Sequence, residues 1–178
     1  VGMLGISYYA GNQWRVAGKH PPHLTAIIPW EGQNDRYRDS GYHGGIMSQF
    51  QERWAKIQVV NVQYGRGELA RKNPNTGESV AGPVTLSEEE LAKNRVNVYE
   101  DLKKHPLYDE WHRQRTADLS KVTLPLLTCA NWGGQGIHPR GNFNGFTETP
   151  SKQKWLEVHG DSHWSHFSSG YGLALQKR

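Results

Sequence analysis

The chain begins Val1-Gly2-Met3-Leu4-Gly5-Ile6-Ser7-Tyr8-Tyr9-Ala10-Gly11-Asn12-Gln13-Trp14, and this stretch decides the fold. A short apolar run ends in Gly-x-Ser and passes at once into a segment with helical character. That is the layout of a nucleophile elbow, in which a serine sits on a tight strand-to-helix turn with its hydroxyl exposed. Gly5 leaves room for the turn, where a larger side chain would clash. The Tyr8 backbone N–H, at the positive end of the new helix, points where an oxyanion would develop. Tyr9 stands where the general Gly-x-Ser-x-Gly pattern has its second glycine, and small residues come at Ala10 and Gly11. Alone, a Gly-x-Ser is a weak signal, and many are turns without chemistry.

Outward from the elbow, apolar runs and breakers set the plan. Val1 to Ile6 reads as a buried strand and Tyr8 to about Lys19 as a helix, stopped at His20-Pro21-Pro22-His23. Leu24 to Pro29 is β-branched and bounded by prolines, so it reads as the next strand. Ser48 to Tyr64 reads as a helix with Phe50, Trp54, Ile57 and Val60 on one face. Glu68 to Pro83 reads as a mobile loop. Ser87 and Glu90 form a capping box that opens a helix running to about Lys104. Leu124 to Trp132 and Lys154 to His159 are the remaining strands. The expectation is an α/β fold with parallel strands. Residues 1–32 would hold the elbow strand, helix and following strand, 33–120 a helical cap insertion, and 121–178 the last strands and a histidine loop.

Composition narrows the function classes. A net charge of +4 arises from 21 Lys and Arg against 17 Asp and Glu. No basic run or RNA-binding motif accompanies it, so a solvated surface is expected and no nucleic acid partner. No apolar run is long enough to span a membrane, and the expected setting is soluble. Cys129, the single cysteine, has no internal disulfide partner and lies in an apolar run, as a buried structural thiol would.

Four segments in order carry a resemblance. Gly5-Ile6-Ser7-Tyr8 with Gln13-Trp14 is followed by Pro29-Trp30-Glu31-Gly32-Gln33-Asn34-Asp35-Arg36-Tyr37-Arg38. Next come His105-Pro106-Leu107-Tyr108-Asp109-Glu110-Trp111 and Trp155-Leu156-Glu157-Val158-His159-Gly160-Asp161-Ser162-His163-Trp164. Together they resemble the X-Pro dipeptidyl-peptidase and cocaine-esterase-like serine hydrolases. The resemblance implies the C-terminal half of an α/β-hydrolase domain with a helical cap. The family's N-terminal strands, which bring an oxyanion-hole tyrosine, and its C-terminal jelly-roll domain would be missing, so the chain alone is expected to be inactive. It implies ester, amide or peptide substrates cleaved through an acyl-enzyme, and no cofactor.

Within that frame Ser7 is the nucleophile, Tyr8 supplies half of the oxyanion hole, and His163 is the base, with His159 and His166 as rivals. The family's acid follows the strand before the histidine strand, where this chain has Gly134. Glu31, after the preceding strand, is the favoured replacement; Asp161 and the neutral Asn131 remain alternatives. Trp30, Trp132 and Trp164 each follow an expected strand and would wall an aromatic substrate pocket. Two other classes stay open. His159-x-x-x-His163-x-x-His166 has metal-ligand spacing, although Gly160 and Asp161 interrupt it and no metal is expected. A hydrolase fold that lost its acid would be an interaction module.

Overall fold

The computed structural model describes residues 1–59, 70–80, 82, 86–133 and 136–178. In chain order, β1 (Gly2–Ile6) runs into α1 (Tyr8–Ala17), followed by β2 (Ala26–Trp30). A π-helical turn at Tyr37–Gly41 leads to a small hairpin, β3 (Tyr42–His43) and β4 (Ile46–Met47). Then come α2 (Gln49–Trp54), α3 (Glu88–Asn94), α4 (Val98–Lys104) and α5 (Glu110–Arg113). The chain closes with β5 (Leu126–Asn131), α6 (Pro139–Glu148), β6 (Lys154–His159), α7 (Ser165–Ser168) and α8 (Gly170–Lys177). Contacts divide it into two compact units: Val1–Ile46 with Leu107–Arg178, and Met47–Pro106.

In the second unit, Ser48 caps α2 by accepting from the Phe50 N–H, and a π-helical turn at Ala55–Val59 follows. The rest of the helix expected to reach Tyr64 lies outside the described residues, as do positions 68, 69, 81 and 83 of the expected loop. The described part of that loop holds an isolated antiparallel bridge between Lys72 and Ser79. The capping box is present: Ser87 Oγ accepts from Glu90 N, and Glu90 Oε2 accepts from Ser87 N. The single helix expected from there to Lys104 is instead two. Arg95 turns extended, and the Asn97 side chain accepts from the Tyr99 and Glu100 N–H groups, restarting the helix as α4.

The first unit holds a four-stranded parallel sheet in the order β1-β2-β5-β6. Successive residues of a strand face opposite sides, and the two faces have separate cores. Ile27 and Leu126 pack with Trp14 and Ala17 of α1 and with Val122. Ile6, Trp30 and Cys129 pack on the other side with Phe167 and Leu175 of the last helices. Helices thus cover both faces, the arrangement that parallel sheets require.

Pro29 sits inside β2, where it cannot donate to the ladder. Ile27 N reaches Pro125 O at 3.1 Å and Glu31 N reaches Cys129 O at 2.7 Å, so the missing N–H falls between them on the β5 side. Asn142 of α6 bridges this gap. Its amide nitrogen donates to Pro29 O (3.0 Å) and Thr128 Oγ1 (2.7 Å), and its oxygen accepts from Gly32 N (2.9 Å). Close packing brings α6 there: a Cβ on Gly141 would meet Gln33 Cα at 2.6 Å, and one on Gly145 would strike the Trp14 ring. A single buried amide therefore fixes the turn after β2.

Replacing Asn142 by Ala strands buried polar groups on three partners at 1–3 kcal/mol each when unsatisfied. We expect Asn142→Ala to cost about 3 kcal/mol in urea unfolding; a loss below roughly 0.5 kcal/mol would contradict this account of the turn.

Candidate active site

Ser7 is the residue between β1 and α1, and its backbone is strained, with φ 64° and ψ −119°. A non-glycine residue at positive φ costs energy and persists only where its surroundings hold it. Here Ser7 N donates to Trp30 O at 2.9 Å and Ser7 O accepts from Gly11 N at 3.0 Å. Gly5 makes the turn feasible, because a Cβ there would lie 2.7 Å from the Tyr9 Cβ. Tyr9 thus fits the pattern's second glycine position by using the space that Gly5 leaves. Gln13 locks the base of the turn, donating to Gly5 O and accepting from Ile28 N. Tyr8 opens α1, so its N–H belongs to the positive end of that helix.

Glu31 stands one residue past β2, also at positive φ (50°). Its side chain is fully buried. Oε2 lies 2.5 Å from His163 Nδ1, and Oε1 lies 2.9 Å from His159 Nε2. Asn131 donates its amide to Oε2 at 3.3 Å. The structure thus joins two of the sequence-predicted residues, Glu31 and His163, and the rivals Asn131 and His159 meet the same carboxylate. Burial pushes the His159 pKa down, as does neighbouring His166, against the pull of Glu31. A neutral His159 donating from Nε2 also leaves its buried Nδ1, which has no partner among the described residues, as a bare acceptor.

The imidazole at Ser7 belongs to a residue that sequence reasoning missed. His138 Nε2 is 3.3 Å from Ser7 Oγ, and no hydrogen bond joins Ser7 to His163 among the described residues. His163 is held by Glu31 and stacks on His138, with centroids 4.9 Å apart and planes 7° apart. Burial, and secondarily His163, depress the His138 pKa to about 3. Its only sequence signal is its position, directly before Pro139 at the start of a helix.

The other expected residues lie as follows. Asp161 pairs with His166 Nδ1 at 3.1 Å rather than with His163. Trp30 does not wall a pocket: it is fully buried, edge-on to Phe167, because β2 is an inner strand. Trp132 and Trp164 are 71% and 57% exposed. Trp132 lies against Phe143, and Trp164 against His163. Gly134 lies outside the described residues. Cys129 is buried, with its thiol pKa pushed up by burial and by the nearby acids Glu157 and Glu31.

His159, Asp161 and His166 bring one potential metal-ligand atom each within 4.8 Å of one another, whereas His163 is not in this group. The His159 and His166 rings stack at 4.0 Å and 13°. Imidazole lone pairs lie in the ring plane, so those of stacked rings run side by side rather than toward one ion. A cavity of about 570 Å³ lies beside the His138 loop, lined by Tyr37, Arg38, Tyr42, His43 and Arg140 among others. No helix among the described residues is long and apolar enough to cross a membrane.

The sequence matches the X-Pro dipeptidyl-peptidase (S15) family over residues 1–168. The chain belongs to that family. Two crystal structures of a CocE/NonD family hydrolase from Staphylococcus aureus share 36% identity with it, at TM-scores of 0.77 and 0.75. The alignments cover 99% of this chain and 27% of that one, so the chain spans about a quarter of that relative's length. Beyond the S15 family, the fold is shared with a Pyrococcus horikoshii acylaminoacyl peptidase at 12% identity and a TM-score of 0.55, over 99% of this chain and 23% of that chain. It is also shared with an aminopeptidase from a marine sediment Thaumarchaeota archaeon at 16% identity and a TM-score of 0.57, over 92% and 28% of the two chains. No curated protein sequence matches the chain. As an S15 member the chain has the α/β-hydrolase fold that its sequence implies.

The depressed His138 pKa has a consequence for stability. An unfolded histidine takes up a proton near pH 6.5, whereas folded His138 does so only near 3. The unfolded state therefore binds more protons between those values, and stability falls as pH drops through that window. His138 should contribute about 1.4 kcal/mol per pH unit there. Urea unfolding of His138→Gln at pH 4 and pH 6 should show a slope shallower by about that amount; an unchanged slope would show that His138 titrates normally.

Proposed function

We propose that this chain carries the nucleophile, base and acid of a serine hydrolase that cleaves ester or amide bonds through an acyl-enzyme. The observation that supports this most is the buried Glu31 carboxylate on His163 Nδ1, one residue beyond the strand that neighbours the strained Ser7 turn. The order along the chain is Ser7, Glu31, His163, so the acid follows β2 instead of β5. With Nδ1–H tied to Glu31, His163 presents its Nε2 lone pair as the general base. Catalytic hydrogen bonds are often long or unformed in a free enzyme and tighten once substrate is bound. Ser7 Oγ attacks the acyl carbon, His163 takes the hydroxyl proton, and the Tyr8 N–H stabilises the oxyanion. The same proton then goes to the leaving group, and water repeats the cycle to release the acid.

Family membership favours small-molecule or peptide acyl substrates, including X-Pro dipeptides. Trp132 and Trp164, both exposed beside the ends of β5 and β6, provide aromatic surface for them. The decisive variants separate Glu31 from Asp161. In the full-length product of the reading frame that contains this chain, Glu31→Gln should lower kcat by about 10⁴, the loss a triad suffers when its acid is neutralised. Asp161→Asn should stay within a few-fold of wild type. Near-normal turnover by Glu31→Gln, or collapse in Asp161→Asn, would reassign the acid.

A further inference from the structure

The proposed triad leaves unused the side chain that hydrogen-bonds its nucleophile. His138 is 5% exposed. Its Nε2 meets Ser7 Oγ at 3.3 Å, and its Nδ1 is buried with no hydrogen-bond partner among the described residues. The residue is well anchored, since its carbonyl accepts from Asn142 N and Pro139 follows it at the head of α6. Its ring face is fixed by the stack on His163.

The unpartnered Nδ1 decides which nitrogen holds the proton. A neutral imidazole has one N–H and one lone pair. If the proton were on Nδ1, a buried N–H would have no acceptor, an arrangement rarer in proteins than an under-satisfied acceptor. With the proton on Nε2, the donor meets Ser7 Oγ and only a lone pair is left bare. Among the described residues no carboxylate reaches Nδ1 to support a positive charge, in contrast to His163 with Glu31. A ring in that setting is a poor base and a good neutral donor.

Resting on the serine-hydrolase reading, the geometry points to His138 as a second catalytic histidine, whose Nε2–H donates to Ser7 Oγ. It steadies the negative charge that develops on Oγ as His163 removes the hydroxyl proton. His138 keeps its own proton throughout. The Oγ–acyl bond forms, the bond to the leaving group breaks, and the transferred proton passes from Ser7 to His163 to the leaving group. The two stacked rings thus divide the work: His163 is the base tied to Glu31, and His138 is the fixed donor. The depressed His138 pKa agrees with this division, because a ring that resists protonation does not compete for the Ser7 proton.

The test uses the full-length product of the reading frame, an activated ester substrate, and two replacements. His138→Phe keeps a stacking ring without a donor, and His138→Gln offers an amide N–H in place of Nε2–H. The Phe variant should lose about 10–10² in kcat, the worth of one hydrogen bond to a charged oxygen, with KM little changed. The Gln variant should recover to within about threefold of wild type. Equal kcat in the two variants would reduce His138 to packing and overturn the inference. So would a Gln variant as inactive as His163→Ala, which would make His138 the base. Nitrogen-15 NMR of the unmodified protein gives a reading that needs no variant: His138 should be the Nε2–H tautomer at pH 7, and an Nδ1–H tautomer would overturn the inference. Ser7→Ala keeps the two failures apart. If it stays active, the serine-hydrolase reading falls; if activity is Ser7-dependent while Phe and Gln are equal, only the role of His138 falls.

Discussion

One buried carboxylate organises this site. Glu31 is shut away from water and lies between His159, His163 and Asn131, each of which offers it a nitrogen. A buried charge is tolerated only when hydrogen bonds replace its lost hydration. Removing any one of these partners therefore does more than delete a contact, because it leaves part of a buried anion without a donor. The two histidines come from opposite sides of the Gly160-Asp161 turn, so the carboxylate also fixes the path of the loop after β6. His166 and Asp161 then complete a second pair behind it.

The backbone that presents Glu31 is as constrained as the side chain. Ser7 and Glu31, each one residue past a strand, both have positive φ. They are coupled through the sheet: Ser7 N bonds Trp30 O, and Glu31 N bonds Cys129 O, so the ladder continues up to both strained residues. Pro29 weakens that ladder just below the turn, and Asn142 restores it from a helix on the far side of β5 in sequence. The Ser7 and Glu31 turns are thus parts of one rigid sheet edge, as the proposed catalysis by positioning would need.

How much of this was legible in the sequence depends on how local the cause is. The elbow could be read because Gly5, Ser7 and the helix after it lie within a few residues of one another. The Ser87–Glu90 box was readable for the same reason. The meeting of Glu31 with His163 was open to inference because no carboxylate occupies the usual position after β5. His138 gave no such clue: it is 131 positions from Ser7, and only the packing of α6 against β5 and the turn after β2 brings it there. Trp30 was misread because tryptophans at strand ends wall pockets or fill cores alike, and burial separates the two. The break between α3 and α4 turned on Asn97, whose capping side chain overrode a helical pattern that continued on both sides.

The central claim is that Ser7 is the nucleophile of a covalent mechanism. A fluorophosphonate probe, followed by intact-mass and peptide mapping of the full-length protein, tests it most directly. The account predicts one adduct, on Ser7, that forms in step with loss of hydrolase activity and is absent from Ser7→Ala. An active enzyme that takes up no probe, or takes it up on another residue, would contradict it.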